Sequence, residues 1–207
     1  MSIVMRYLYT IGHSNHTLGA FLRLVEQHEI ELLIDVRSRP YSRYYPHFNL
    51  KQIEKALREQ GITYLFLGRE LGGMPENDEY YDEDNYVLYY RIADSAAFLD
   101  GIARVETSIE EARTAILCAE ENPLSCHRRV LVGRVLKEKG IGLRHIRADG
   151  RVETEEEVAQ SEQTCSDGAN QLRLDDSGHD LTWKSKKPIP RKSRPRSLSK
   201  PKLAKRA

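Results

Sequence analysis

Cysteine is scarce: Cys118, Cys126 and Cys165 are the only three in a chain of 207 residues. An odd, widely spaced set excludes a disulfide framework and points to a reducing compartment, so a cytoplasmic location is expected. No run of about 18 apolar residues exists, which excludes a membrane-spanning helix. The start, MSIVMRYLYTIG, lacks the layout of a secretory signal. There is no G-x-x-x-x-G-K-S/T and no G-x-G-x-x-G, which argues against ordinary ATPases and the common dinucleotide-binding enzymes. Internal repeats are also absent. A mass of 23.8 kDa corresponds to one domain plus a remainder.

Acidic residues vanish from Lys184 onward, where 24 residues carry 11 Lys or Arg, four prolines and no Asp or Glu. The preceding 183 residues hold 21 basic against 31 acidic side chains, so the net charge of +1 conceals a strong asymmetry. A basic, proline-rich segment buries too little apolar area to offset its ordering entropy, and 184–207 is expected to be a disordered tail. Such a tail, Lys184 to Arg206, suits nucleic acid or another polyanion, or serves only as a solubilising extension. It offers few apolar anchors, such as Leu198 and Leu203, and no amphipathic face, which argues against a membrane surface. Residues 151–183, with nine Asp or Glu against two Arg, read as an acidic linker with a short helix at Glu153–Gln163.

The remaining 1–150 alternate strand and helix patterns. Tyr7–Ile11, Glu31–Val36, Ile62–Leu67, Thr114–Cys118 and Leu143–Ile146 read as buried strands. Helices are expected after Ser14 or Asn15, after Asn49, over Ile102–Ala112 and from Ser125 to Lys139, with Cys126, His127 and Arg128 in the first turn of the last. The loop GRELGGMPENDEYYDEDN is long enough for a lid or a disordered stretch, with Gly72–Gly73 marking a tight turn. The fold class is therefore α/β, a mostly parallel sheet with helices on both faces, a three-layer sandwich.

In such sheets ligands sit beyond the C-terminal strand ends, and three of those ends carry polar chemistry. The first gives His13 and Ser14, the second Asp35, Arg37, Arg39, Ser42, Arg43 and His47, the fourth Cys118, Glu120, Cys126, His127 and Arg128. Asp35 can orient Arg37 through paired hydrogen bonds, leaving the guanidinium to grip a phosphate. Arg128 beside a helix N-terminus would form an anion site and lower the Cys126 thiol pKa. Arg39 and Arg43 suit ligand contact or surface ion pairs equally. Tyr41, Tyr44, Tyr45 and Phe48 interleave with these arginines, a pattern that stacks bases or anchors the loop. His13 and Glu120 are the candidates for general acid–base work. No cofactor is expected from the motifs. Cys118, Cys126 and His127, with His13 or His47, are the candidate ligands for a divalent metal, although a seven-residue gap between cysteines is not a recognised zinc spacing.

TIGHSN at 10–15, DVRSRPYSR at 35–43, LGRELGG at 67–73, CAEENPLSCHRR at 118–129 and HIRADG at 145–150 together resemble the prokaryotic domain-of-unknown-function family numbered 488, over about residues 1–150. The resemblance implies an intracellular α/β domain whose signature residues are His13, Ser14, Asp35, Arg37, Pro40, Ser42, Arg43, Cys118, Glu120, Cys126, His127 and Arg128. It carries little function with it. IDVR at 34–37 and a cysteine ending a later strand are also similar to rhodanese and phosphatase domains, but the compact C-x-x-x-x-x-R loop of those folds is missing.

The leading expectation is an enzyme acting on a nucleotide or nucleic acid, by hydrolysis or glycosyl transfer, with Arg37 and Arg128 on phosphate and Glu120 and His13 near the chemistry. The alternatives are a cysteine enzyme of the thiol or sulfur-transfer type using Cys126 or Cys118, and a non-catalytic nucleic-acid-binding module. The sequence leaves the oligomeric state open.

Overall fold

Short apolar runs with no polar alternation form the centre of the sheet. Every residue of Leu32–Asp35 and of Thr114–Cys118 is buried, as expected of strands covered on both faces. In the computed structural model, which describes residues 6–165, 180 and 182–189, six strands are found: β1 (Tyr7–Gly12), β2 (Leu32–Asp35), β3 (Thr63–Phe66), β4 (Thr114–Cys118), β5 (Gly142–Ile146) and β6 (Val152–Thr154). Their order is β3-β2-β4-β1-β5-β6. The first five are parallel, and β6 runs antiparallel to β5.

The helices are α1 (Leu18–Gln27), α2 (Leu50–Glu59), the short α3 (Tyr89–Ala93), α4 (Ala96–Glu111), α5 (Arg134–Glu138) and α6 (Glu155–Cys165). From β1 to β3 the chain steps one way along the sheet, and from β3 to β5 it steps back. Right-handed crossovers then require two helical layers. One core joins Phe21 and Val25 of α1 to Ile53 and Leu57 of α2. The other joins Phe98, Ile102 and Val105 of α4 to Leu131, Val132 and Leu136. The mostly parallel sheet with helices on both faces is thus present.

Register places the polar strand ends side by side. Gly12 pairs with Cys118, and Asp35 with Leu117, so β1, β2 and β4 end on one rim. The connections after β1 and β4 depart in opposite directions, which opens a crevice between their ends. Gly12 is needed there, because a Cβ would lie 1.8 Å from the Glu120 carbonyl oxygen.

Several expectations are corrected. The cap of α1 is Thr17, whose side chain accepts from the Ala20 N–H at 3.2 Å, while Ser14 remains in the preceding loop at φ 43°. Asn49 precedes α2, but its Oδ1 accepts from the Ser42 N–H at 2.6 Å and leaves the helix uncapped by a side chain. α4 starts at Ala96, six residues before the expected start, because Ser95 caps it and Phe98 already belongs to its buried stripe. The glycine-containing loop is packed: Leu71 is buried, a 3₁₀ turn spans Asp78–Tyr80, and Tyr81 bridges Val87.

Residues 152–165, within the stretch read as a linker, are β6 and α6. Their acidic sequence conceals a docking role, since Glu155 is buried against Arg129. The onset of the basic segment is ordered as well. Trp183 Nε1 donates to the Val130 carbonyl at 2.6 Å, and the Ser185 and Ile189 N–H groups donate to the Val87 and Asn85 carbonyls. The disorder expected for 184–189 is therefore corrected, because these backbone bonds and the tryptophan hold them. Residues 190–207 and Cys165's side chain lie outside the described residues.

Candidate functional site

The crevice at the β1–β4 rim deepens into a cavity of about 800 Å³. Its floor is His13 from β1's loop, Cys118 from the end of β4, and His127. Arg37, Arg39, Tyr41 and Ser42 form one wall, Gly73 and Met74 another, and Ser185–Ile189 a third. A second hollow, about 650 Å³, lies at the opposite rim among Glu29, Glu31 and Arg113 and contains neither cysteine nor histidine.

Cys118 and His127 face each other with Sγ 3.6 Å from Nδ1. His127 Nε2 is 3.0 Å from the Val36 carbonyl oxygen, which only accepts, so the ring carries its proton at Nε2 and offers Nδ1 to the thiol. The Cys118 thiol is held well below its ordinary range. The Cys126 thiol donates to its sulfur, and His127 and Arg128 add positive charge, together outweighing burial. Burial and the adjoining Cys118 push Cys126 the other way, so it keeps its proton. For His127, burial opposes the imidazolium, but the facing Cys118 and the Val36 carbonyl raise its pKa overall. The arrangement favours a thiolate–imidazolium pair on Cys118 and His127.

Local structure explains this placement. Pro123–Ser125 form a 3₁₀ turn, and Cys126 is extended at φ −81°, ψ 134°, accepting the Arg129 and Val130 N–H groups through its carbonyl. Cys126 thus precedes the helix, a correction to its expected place inside the first turn. A π-helical stretch, Arg128–Gly133, follows before α5. Gly73 packs on the imidazole: a Cβ there would lie 2.6 Å from His127 Cγ. Gly68 and Gly72 likewise allow the loop to lie against Arg37 and Ser38. Neither Gly72 nor Gly73 has a positive φ, and close approach accounts for the glycines of the LGRELGG motif.

Asp35 is fully buried and spends its oxygens on one neighbour and one phenol. It accepts from Arg37 N at 3.0 Å, Nε at 2.9 Å and Nη2 at 2.5 Å, and from Tyr64 Oη at 2.7 Å. Burial and the Asp35 carboxylate push the Tyr64 phenol up, so it stays a donor. Asp35 is therefore a positioning residue. Arg37, only 6% exposed, has no partner for Nη1 among the described residues and lines the cavity. His13 is stacked on Phe48 at 4.3 Å, and its Nδ1–H donates to the Ser14 carbonyl at 2.9 Å. Burial, then the Arg37 charge, lowers its pKa to about 4, which leaves Nε2 a free base at neutral pH.

Other expected site residues have other surroundings. Arg128 is 0% exposed; its guanidinium binds Thr10 Oγ1 and the carbonyls of Glu120 and Glu121, outside the cavity wall. Arg43 turns outward onto the Tyr44 ring. Ser42 lines the cavity but accepts the Tyr44 and Tyr45 N–H groups through Oγ. Glu120 is exposed at the rim, and Ser14 and Arg39 line the cavity. His47 is taken up by the His16 carbonyl.

Among the described residues, Cys118, Cys126 and His127 also form a candidate metal cluster, their ligand atoms all within 4.8 Å of one another. His13 and His47, weighed as further ligands, do not join it. The Val36 carbonyl on Nε2 is the kind of outer partner that orients a metal-binding imidazole.

A family model, the domain of unknown function DUF488, matches residues 17–135. The chain belongs to the DUF488 family. The DUF488 match covers α1 to the start of α5 and includes Asp35, Arg37, Cys118, Cys126 and His127, while TIGHSN and HIRADG flank it. Comparison with curated proteins and with solved structures gave no match.

Sequence reasoning does not find the wall Ser185–Ile189, nor Ser38, Met74 and Tyr89. The available signal was the lone Trp183 followed by Ile189, two anchors inside an otherwise polar, basic run. No helix among the described residues is long and apolar enough to cross a membrane.

Proposed function

We propose that this DUF488 domain is a cytoplasmic, cysteine-dependent group-transfer enzyme acting on a phosphate-bearing substrate. The observation that carries the proposal is the 3.6 Å Cys118–His127 pair at the floor of the cavity, with the imidazole tautomer set by Val36. Cys118 contributes to the cavity lining and Cys126 does not, which makes Cys118 the nucleophile. Its sulfur electron pair forms the new bond to the electrophilic atom of the substrate, and the bond to the leaving group breaks with its electrons. As sulfur loses its charge, His127 loses the neighbour that held its proton, and the Nδ1 proton passes to the leaving group. Arg37 Nη1 neutralises the phosphate, while His13 Nε2 accepts the proton of the water or second substrate whose attack breaks the bond to sulfur and returns the Cys118 thiolate, with Glu120 at the cavity rim. Arg128 supplies charge behind Cys118, not contact with substrate. This reading joins the phosphate and thiol alternatives. A purely binding module would have no use for an activated thiol.

The test is iodoacetamide labelling at neutral pH with peptide mapping. Cys118 is expected to be labelled well ahead of Cys126, with a nucleotide or oligonucleotide slowing the reaction in wild type and less so in Arg37→Ala. Two inert thiols would refute the enzyme.

A second reading is favoured by the three-ligand cluster: the same residues hold zinc with one position open to the cavity. Metal analysis of the purified chain separates the two. Stoichiometric zinc that protects Cys118 from alkylation, and protection lost on chelation, would select the metal centre.

A further inference from the structure

The four aromatic residues of the arginine loop divide into two sets. Phe48 is buried and clamps His13, while Tyr45 is half-buried against the same core. These two suffice to anchor the loop. Tyr41 and Tyr44 add nothing to that anchor, being 75% and 71% exposed beside the cavity that Tyr41 lines. Arg43 lies 4.8 Å over the Tyr44 ring and donates to its hydroxyl at 2.6 Å, holding the ring in place at the surface.

The charge around this rim runs against the acidity of the rest of the domain. Arg37, Arg39, Lys186 and Lys187 line the cavity, against Glu120 alone on the acidic side among the described lining residues. Neither Arg39 nor Lys187 has an ion-pair partner among the described residues, whereas Lys186 meets Glu162 at 3.0 Å. Ile189 is itself part of the cavity wall, and the 18 residues that follow it carry eight Lys or Arg and no acid. The basic run therefore starts at the mouth of the site.

Exposed aromatic rings interleaved with unpaired cations are the composition that single-stranded nucleic acid requires, rings for base faces and cations for the backbone. A duplex hides its base faces, and a bare polyphosphate has none. We infer that Tyr41 and Tyr44, with Arg39, Arg43 and Lys187, form a platform for a single-stranded nucleic acid whose phosphate enters the cavity. This deepens the proposed function, on which it rests for the reacting end of the strand.

The test is fluorescence anisotropy of the full chain with a labelled single-stranded oligonucleotide, competed by its duplex, by mononucleotides and by inorganic polyphosphate. The single strand should bind tightest, and binding should weaken with salt. Tyr41→Ala/Tyr44→Ala should lose about tenfold or more, whereas Tyr41→Phe/Tyr44→Phe, which keeps both rings and gives up the Arg43 bond to the Tyr44 hydroxyl, should retain most of the affinity. Cys118→Ser, which cannot carry out the thiol chemistry, should still prefer the single strand to each competitor, so the platform is read independently of that chemistry. Equal binding by the alanine variant overturns the platform. Equal competition by polyphosphate reduces the surface to charge alone, and no gain from chain length reduces it to a nucleotide pocket; both overturn it.

Discussion

His127 illustrates how one backbone carbonyl decides chemistry. Val36 accepts the Nε2 proton, so Nδ1 has only its lone pair to offer Cys118, and a proton leaving sulfur has a place to go. Cys126 adds a donor to the same sulfur while keeping its own proton. Cys126→Ala removes that donor and is predicted to raise the Cys118 pKa and slow its neutral-pH alkylation several-fold. Cys126→Ser, which keeps an O–H donor, should retain most of the rate. Equal rates in all three proteins would show that Cys126 plays no part in activating the thiol. The Asp35–Arg37 pairing was legible in the sequence, since a carboxylate two residues before an arginine at the end of a buried strand has few other partners. The role of Arg128 was not, because nothing in CHRR says which arginine turns inward to carbonyls and which, Arg129, turns to Glu155.

Elements set the distances between these residues. β1 and β4 were legible as apolar runs, and their parallel pairing brings His13 beside Cys118 through the His13 N–H to Cys118 carbonyl bond at 3.0 Å. β6 was not legible, and α6 was expected only as a short helix at Glu153–Gln163 within a linker, not as a docked element: its side chains are largely acidic, and the burial of Glu155 depends on Arg129 and His145. The π-helical turn after His127 likewise has no local sequence signature here. The packed glycine loop is a positioning element, and Gly73→Ala tests it. A Cβ 2.6 Å from the imidazole must displace a ring or the loop. The variant is expected to lose about 1–3 kcal/mol in urea unfolding and to shift Cys118 reactivity to higher pH. An unchanged pH profile would show that the imidazole does not control the thiol.

Across the protein, one wall of the site is supplied by the chain's own distant segment. Trp183 on Val130 and Ser185 on Val87 bring the start of the basic run to the mouth of the cavity, which composition alone assigned to disorder. A buried base on the floor of the cavity also sets a pH limit. His13 has a folded pKa of about 4, below its ordinary 6.5. Between those values the unfolded chain binds a proton that the native chain does not, so this contribution to stability is complete above pH 6.5 and declines as pH falls toward 4. The decline amounts to roughly 3 kcal/mol. Urea unfolding of His13→Gln should show a correspondingly shallower loss between pH 7 and 4.5, and parallel curves would contradict the buried neutral base. The chemistry proposed for the cavity depends above all on Cys118 being a thiolate at neutral pH in the folded protein. Titrating thiolate ultraviolet absorbance in wild type and in Cys118→Ser reads that state without a substrate. A one-thiol difference is expected, with its midpoint well below the ~8.5 of a free cysteine; a midpoint at or above that value would contradict the thiolate.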